Sequence, residues 1–311
     1  MNDENNSHRH LLSISDLDAD DIISLLDSAR SFAEVSTRPV KKVPALRGRT
    51  IVNLFMEPST RTRMSFELAA KRLSADVINF STSTSSLSKG ESLKDTAKTI
   101  VAMGVDAVVI RHGSAGAPHM LTGWVDCSIV NAGDGMHEHP TQALLDLFTM
   151  REELGHLEGL RVAIVGDIDH SRVARSNIHA LKKVGADVLL VAPRSLLPEG
   201  IEQMGASTTG SLDDALKWCD VLYLLRIQME RVEESRFPSL REYTLQYGLT
   251  ATRWSRLERK PLVMHPGPMN RGVEIASGVA DEVEPVITGQ VSAGVAVRMA
   301  VLYDVLGGSH G

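Results

Sequence analysis

Apolar and polar positions along this chain alternate in blocks that predict a repeated order of strand and helix. Short runs rich in β-branched residues occupy 50–55, 76–80 and 107–110, and the segments between them place apolar residues at helical spacing. Strand, helix and strand at this distance form βαβ units, in which the strands are parallel. The first part of the chain therefore predicts a parallel sheet.

A second set of the same kind follows, and the chain ends in an amphipathic helix. Further strands are expected at 127–131, 161–167, 187–193, 220–225 and 261–266, and helices at 16–33 (capped by Ser15 or Asp16), 64–74, 91–103, from 141, at 173–183 and from about 290. Two sets predict an α/β fold of two doubly wound parallel-sheet lobes with the active site between them. We expect a first domain of residues 1–140 plus 290–311 and a second of residues 141–289.

Composition and charge narrow the class of protein. The 311 residues are 43% hydrophobic and 23% charged, with a net charge of −6 and two cysteines. A disulfide framework or a four-cysteine zinc site is therefore excluded within this chain, and no basic cluster suits nucleic acid. The polar N-terminus lacks the apolar core of a secretory signal, and Arg298 and Asp304 interrupt the longest apolar run, 291–306. We expect a cytoplasmic protein that binds neither nucleic acid nor membrane.

The most informative motif joins the strand at 50–55 to the helix that follows. Ser59 and Thr60 suit a helix N-cap, the first N–H groups of a helix bind anions, and the guanidinium of Arg61 can grip phosphate in two places. These residues predict a phosphate cradle without a glycine-rich loop. An ordinary capped helix with solvated arginines is the competing interpretation.

The run His137, Glu138 and His139 could suggest a metal site, but that interpretation is weak. Two histidines at i and i+2 with no further His or Cys nearby make a poor zinc set. A simple structural role for His139 ranks above it.

Three motifs together resemble the aspartate and ornithine carbamoyltransferases. They are the run from Ser59 to Glu67 (STRTRMSFE), the pair Arg111-His112 after a strand, and the run from His139 to Asp146 (HPTQALLD). Their order along the chain is also the family's order. The resemblance implies transfer of a carbamoyl group from carbamoyl phosphate to an amino acid, without a metal or organic cofactor.

The resemblance also implies roles for residues of the first domain. The phosphate is held by Ser59, Thr60, Arg61 and Thr62, and the carbamoyl end is contacted by Arg111, His139 and Gln142, with Thr62 and Arg111 polarising its carbonyl oxygen. The serine-rich stretch 81–90 has the composition of a flexible linker, yet Ser86 and Lys89 match a family loop that completes the neighbouring subunit's site. A homotrimer with shared active sites is the expected assembly.

The second domain indicates which amino acid accepts the carbamoyl group. Arginines past two predicted strand ends favour a dicarboxylate over ornithine, which presents a cation. By resemblance the aspartate site comprises Lys89, Arg172, Arg226, Gln228, Pro266 and Gly267, and Glu57 pairs with Arg172 and Arg231 when the lobes close. The loop at 265–268 lacks the cysteine of ornithine enzymes. We therefore expect N-carbamoyl-L-aspartate as the product, an early step of pyrimidine biosynthesis.

Three alternatives stay open at this point. Ornithine or another amino acid could be the acceptor, and the chain could be a non-catalytic paralogous subunit. A nicotinamide-dependent oxidoreductase is disfavoured, because the run 161–167 lacks the G-x-G-x-x-G pattern and 187–193 ends without an acid for the ribose. The resemblance also admits a regulatory chain or a dihydroorotase as a further partner.

Overall fold

The computed structural model describes residues 9–81, 92–227 and 239–307. The chain separates into two compact units, Met1–Leu145 with Ala293–Gly311, and Asp146–Ser292. Each unit contains one parallel sheet, with four strands in the first and five in the second. The predicted α/β class with two parallel-sheet lobes is confirmed.

The first unit is built on a four-stranded sheet. Its elements are helices α1 (Ala19–Val35), α2 (Thr60–Arg72), α3 (Leu93–Val101) and α4 (Ala117–Thr122), and strands β1 (Thr50–Phe55), β2 (Asp76–Ser81), β3 (Ala107–His112) and β4 (Ser128–Asp134). The strand order is β2-β1-β3-β4, and every pair is parallel. Apolar residues of three strands form a core with those of α3 and α4, among them Val52, Ile110, Ile129, Ala97 and Leu121.

The second unit is built on a five-stranded sheet. Helix α5 (Pro140–Leu154) leads into it, followed by strands β5 (Arg161–Val165), β6 (Asp187–Val191), β7 (Ser207–Thr209), β8 (Val221–Leu224) and β9 (Leu262–Met264), and helices α6 (Arg172–Lys183), α7 (Leu212–Trp218), α8 (Leu240–Tyr247) and α9 (Ala251–Ser255). The strand order is β7-β6-β5-β8-β9, again all parallel. The sequence pattern did not predict β7, α4, α7, α8 or α9, which are too short to display a period.

The expected start of the first helix was wrong by three residues. Asp18, not Ser15 or Asp16, is the N-cap: its side chain accepts from the backbone N–H of Asp21, and the Asp21 side chain accepts from that of Asp18, at 2.8 and 2.9 Å. This reciprocal pair fixes the helix start. Residues Ile14–Asp16 form a separate 3-10 turn capped by Ser13.

The final helix, α10 (Ser277–Gly307), begins well before the predicted start near residue 290. Pro285 lies inside it, and an interior proline usually ends a helix, which is why the sequence pattern indicated a later start. Val279, Val283 and Ile287 pack into the core of the second unit on both sides of that proline. This apolar packing offsets the backbone hydrogen bond that proline cannot make.

Helix α10 is long and apolar enough to cross a membrane by length and composition alone. A buried core helix passes the same test, and 67% of its most apolar window is buried inside the protein. Within the first unit its C-terminal half is tied down by polar contacts: Arg298 donates to Ser65 Oγ at 2.9 Å and lies over the Phe66 ring, and Ser128 Oγ donates to the Val305 carbonyl.

The amino-terminal edge of the second sheet is held by one carboxylate, Asp220. It accepts two hydrogen bonds from the guanidinium of Arg161 at 3.0 Å and one from Arg259 at 2.7 Å. The hydrogen bonds from Arg161 hold the pKa of Asp220 well below its usual range. The ion pairs therefore join the start of β5 to the segments before β8 and β9, at the edge opposite the carboxyl ends of the strands.

We predict that Asp220→Asn lowers the free energy of unfolding by about 1–2 kcal/mol at pH 7. Because the folded pKa is depressed, the contribution of Asp220 is full above its unfolded pKa of about 4 and fades as pH falls towards the folded value. Urea unfolding of both proteins between pH 7 and pH 3 measures the difference. A gap that stays constant down to pH 3 would contradict this account.

Candidate active site

The order of the first sheet brings two chemically important loops to one place. Strand β2 lies on one side of β1 and strand β3 lies on the other. The segments that follow β1 and β3 therefore run in opposite directions and leave a crevice between them at the carboxyl ends of the strands. Phe55 pairs with Arg111 in the ladder, and Met56 N–H donates to the Arg111 carbonyl at 2.9 Å. The Arg111 guanidinium lies 3.4 Å from the carboxylate of Glu57. The predicted phosphate loop and Arg111 are therefore neighbours.

Helix α2 begins at Thr60, four residues before the predicted start, so the motif lies on the helix itself. Ser59 is at the N-cap position, but its side chain makes no capping hydrogen bond. The first N–H groups of a helix have no intrahelical partners, and with the helix dipole they attract an anion. Thr62 is buried in this first turn and Arg61 is exposed. This arrangement suits a phosphate better than a self-capped helix does.

The third part of the site is fixed by a buried carboxylate that the sequence analysis missed. Asp134, at the end of β4, is fully buried and accepts from Gly116 N–H at 2.7 Å, Asn131 Nδ2 at 2.8 Å and Glu138 N–H at 3.1 Å. It ties the loop after β3 to the turn before α5. The predicted strand ended at Asn131, which left Asp134 outside the pattern.

Glu138 holds the same turn from the other side. Its carboxylate accepts from the backbone N–H of Ile14 at 3.0 Å and from the Ser13 hydroxyl. His139 directly precedes α5 and Gln142 lies in its first turn; both are buried, and Gln142 N–H donates to the His139 carbonyl at 2.9 Å. Since β3 and β4 are adjacent, the structure brings His139 and Gln142 to the same sheet edge as Arg111 and the start of α2.

A metal interpretation of the His137 to His139 run finds no support in this geometry. His137 Nδ1 lies 3.1 Å from Asp134, whereas the Glu138 carboxylate is turned towards Ile14. Across residues 9–81, 92–227 and 239–307, no group of three or more His, Cys, Asp or Glu side chains is arranged to hold a metal ion.

The second sheet reverses its strand order between β5 and β8, which makes another crevice. Arg172 begins α6 after β5, behind the N-cap Ser171, and Arg226 follows β8. Leu225 N–H donates to the Val165 carbonyl at 2.8 Å, so the two loops run side by side. The two arginines predicted from the sequence therefore lie at the place where the strand order of the second sheet reverses, which we call its switch point.

Gly166 is needed where these loops meet. Its φ is +132°, and a Cβ there would lie 3.0 Å from Leu225 Cβ and 3.3 Å from the Tyr243 hydroxyl. Burial, followed by the charges of Glu274 and Asp167, raises the pKa of Tyr243 well above its usual range. A glycine therefore permits the close approach of the loop after β5 to the loop after β8.

Pro266 and Gly267 follow β9, which neighbours β8, and both are partly exposed. Four other predicted site residues, Ser86, Lys89, Gln228 and Arg231, lie outside the described residues. Sequence reasoning also missed Asn270 and Glu274, which are hydrogen-bonded to each other and to this loop. They share no motif with the residues of predicted function.

Each unit thus presents cationic side chains at a switch point, and the first adds a helix start without a side-chain cap. A fold and site of this kind define a two-domain α/β enzyme that binds oxyanions. The aspartate/ornithine carbamoyltransferase carbamoyl-P binding domain matches residues 9–152, and the Asp/Orn binding domain of the same family matches residues 158–305. The chain belongs to the aspartate/ornithine carbamoyltransferase family.

Individual relatives agree with this assignment. The chain is 61% identical over 302 residues to the aspartate carbamoyltransferase catalytic subunit of Acidothermus cellulolyticus, covering 97% of this chain and 94% of the relative. The catalytic subunit of Syntrophotalea carbinolica is 57% identical, with 97% and 96% covered.

Solved structures give the same picture. The structure of Trypanosoma cruzi aspartate transcarbamoylase in complex with carbamoyl phosphate has a TM-score of 0.88 at 32% identity, with 96% of each chain covered. The catalytic subunit of M. jannaschii aspartate transcarbamoylase has a TM-score of 0.83 at 37% identity, with 96% of this chain and 97% of that chain covered.

We predict that Asp134→Asn lowers the free energy of unfolding by about 1–3 kcal/mol. Both carboxylate oxygens accept from backbone N–H groups, so either orientation of an asparagine amide places its NH₂ against a donor. Urea unfolding measures the loss. Asp126→Asn is the matched control, because that side chain is 88% exposed and should change stability little. Equal stability of the two variants would contradict the anchoring role.

Proposed function

We propose that this chain transfers the carbamoyl group of carbamoyl phosphate to the amino group of L-aspartate, giving N-carbamoyl-L-aspartate and phosphate. The observation that carries the proposal is the presence of oxyanion-binding groups at both switch points in a chain 57–61% identical to aspartate carbamoyltransferase catalytic subunits. The ornithine alternative is disfavoured because Arg172 and Arg226 suit two carboxylates and oppose the cationic side chain of ornithine.

In the first unit, the start of α2 receives the phosphate. The backbone N–H groups and side chains of Ser59, Thr60, Arg61 and Thr62 hold its oxygens. Arg111, Thr62 and His139 donate to the carbonyl oxygen of the carbamoyl group, and Gln142 contacts its NH₂. These donors are fixed before substrate arrives, by the β1–β3 ladder and the Asp134 and Glu138 anchors, and a preorganised donor set is what an oxyanion requires.

The reaction then needs no strong protein base. The unprotonated amino group of aspartate attacks the carbonyl carbon, and the oxygen becomes an oxyanion held by the donors named above. The C–O bond to phosphate breaks as the carbonyl re-forms, and the leaving phosphate accepts the proton that the amine nitrogen loses. His139 acts here as a hydrogen-bond donor to oxygen, while the backbone carbonyls of Pro266 and Gly267 accept from the amino and carbamoyl NH groups.

We also propose a homotrimer whose active sites are shared between neighbours. Ser86 and Lys89 match the family loop that completes an adjacent site, and Lys89 supplies a cation suited to phosphate and to a substrate carboxylate. Gln228 extends the aspartate contacts beyond Arg226. These three residues lie outside the described residues, so the proposal for them rests on the sequence motifs.

The first test is carbamoylation by the purified protein with carbamoyl phosphate and either aspartate or ornithine, followed by ureido product and phosphate release. We expect product with aspartate alone. Arg226→Gln should lower kcat/KM for aspartate on the order of 100-fold, because a carboxylate loses a bidentate partner. Asp220→Asn, altered at the opposite edge of the same sheet, is the control and should keep the rate. Turnover of ornithine, or of neither amino acid, would overturn the proposal.

A hybrid experiment tests the shared sites. His139→Ala and Lys89→Gln should each be nearly inactive alone. When they are mixed in equal amounts, dissociated and reassembled, every trimer that contains both chains should regain one intact site. The whole mixture, which also contains inactive trimers of a single chain, should then show about a quarter of wild-type activity. If mixing restores nothing although mixed trimers form, each site lies within one chain.

A further inference from the structure

A chain of buried hydrogen bonds holds residues 265–270 in the second unit. The His265 side chain is fully buried, and its Nε2 lies 3.1 Å from Oε1 of Glu274, which is also buried. The other ring nitrogen, Nδ1, receives a hydrogen bond from Gly267 N–H at 2.8 Å. A nitrogen that accepts carries no proton, so the ring proton is on Nε2 and is donated to Glu274.

This tautomer sets the direction of a backbone carbonyl. The Pro266–Gly267 peptide is trans, since the cis bond in this loop is the next one, Gly267–Pro268. In a trans peptide the N–H and C=O point to opposite sides. Because Gly267 N–H points at the His265 ring, the Pro266 carbonyl points away from it. The orientation of the imidazole thus determines where the Pro266 oxygen is presented.

The backbone at His265 is also held in place. The His265 backbone N–H donates to Gln290 Oε1 at 3.1 Å, and Gln290 Nε2 donates to Asp146 Oδ1 at 2.9 Å, which fixes the amide orientation. Asp146 is fully buried and also accepts from Tyr223 at 2.7 Å and Asn177 at 2.9 Å. This network anchors the end of β9 to helices α5, α6 and α10 within the second unit.

Glu274 links the same loop to the one that carries Arg226. Its Oε1 also accepts from Asn270 N–H at 2.6 Å, and Asn270 Nδ2 donates to the Ile227 carbonyl at 2.8 Å. One carboxylate oxygen therefore orients the ring beneath Pro266 and, through Asn270, the backbone next to Arg226. A displacement of Glu274 would disturb both groups.

We propose that His265, held in its Nε2–H tautomer by Glu274, is a positioning residue that aims the Pro266 carbonyl at the amino group of the acceptor substrate. This inference rests on the proposed function, which assigns that carbonyl to the acceptor. Both ring nitrogens are engaged inside the protein, so His265 acts through the loop and exchanges no proton with the substrate.

Two substitutions of His265 each retain only one of the two hydrogen bonds made by its ring. In His265→Asn the amide oxygen can take the place of Nδ1 and still accept from Gly267, whereas in His265→Gln the amide nitrogen can take the place of Nε2 and still donate to Glu274. We expect His265→Gln to lose on the order of 10- to 100-fold in kcat/KM for aspartate, and His265→Asn to lose only about threefold. Carbamoyl phosphate affinity, measured by calorimetry, should stay within about twofold of wild type in both.

Equal losses in the two variants, or no loss in His265→Gln, would overturn the proposal, since a purely packing role makes no distinction between them. If His265→Gln fails to fold, a pair at Glu274 tests the tautomer instead: Glu274→Gln retains an acceptor for both His265 Nε2–H and Asn270 N–H and should keep kcat/KM, whereas Glu274→Met removes that acceptor and should lower kcat/KM. Equal kcat/KM for aspartate in those two variants would likewise count against the proposal. Wild-type protein without aspartate activity would refute the proposed function itself, an outcome distinct from any pattern among the variants.

Discussion

The site depends on one constraint, the common direction of the strands in each sheet. When every strand is parallel, all the segments that leave the strands emerge at one edge, and a reversal in strand order opens a crevice between two of them. The first sheet reverses between β1 and β3 and the second between β5 and β8. Residues that are distant in the chain, such as Ser59 and His139, therefore lie at the same edge of the sheet.

Direction alone does not fix loops, and here buried carboxylates do that. A carboxylate without water is costly unless several donors surround it, so each one forces its donors into a defined arrangement. Asp134 binds backbone groups of two loops, Glu138 holds one of these, the turn before α5, from its other side, and Glu274 binds backbone of the loop after β9. The groups that we propose as donors to substrate are thereby held before substrate binds, which is the condition for stabilising a charge that appears only during reaction.

The sequence predicts a structural feature well when the residues that determine this feature are neighbours in the chain. Strand β1 was predicted with its observed ends, because a run of β-branched residues between polar turns is a local signal. Helix α10 was predicted too short, because Pro285 is a local signal for a break and the packing of Val279 and Ile287 that overrides it is not local. The motif residues Arg61, Arg111 and Arg172 were predicted as site residues from the sequence, whereas Asp134 and Glu274 were not noticed. Their importance lies in which backbone groups they meet, and that is decided only when the loops are assembled.

Gly166 has a consequence for how the acceptor pocket of such a fold can diversify. A residue with no side chain is the only one that leaves room for Leu225 and Tyr243 at that crossing, and its backbone conformation is closed to other amino acids. The crossing is thus a fixed joint, and the freedom to alter what the loops recognise is confined to positions beyond it, near Arg172 on one side and Arg226 on the other. A lineage that changes its acceptor amino acid must therefore substitute residues at the ends of these loops and retain the glycine at the crossing.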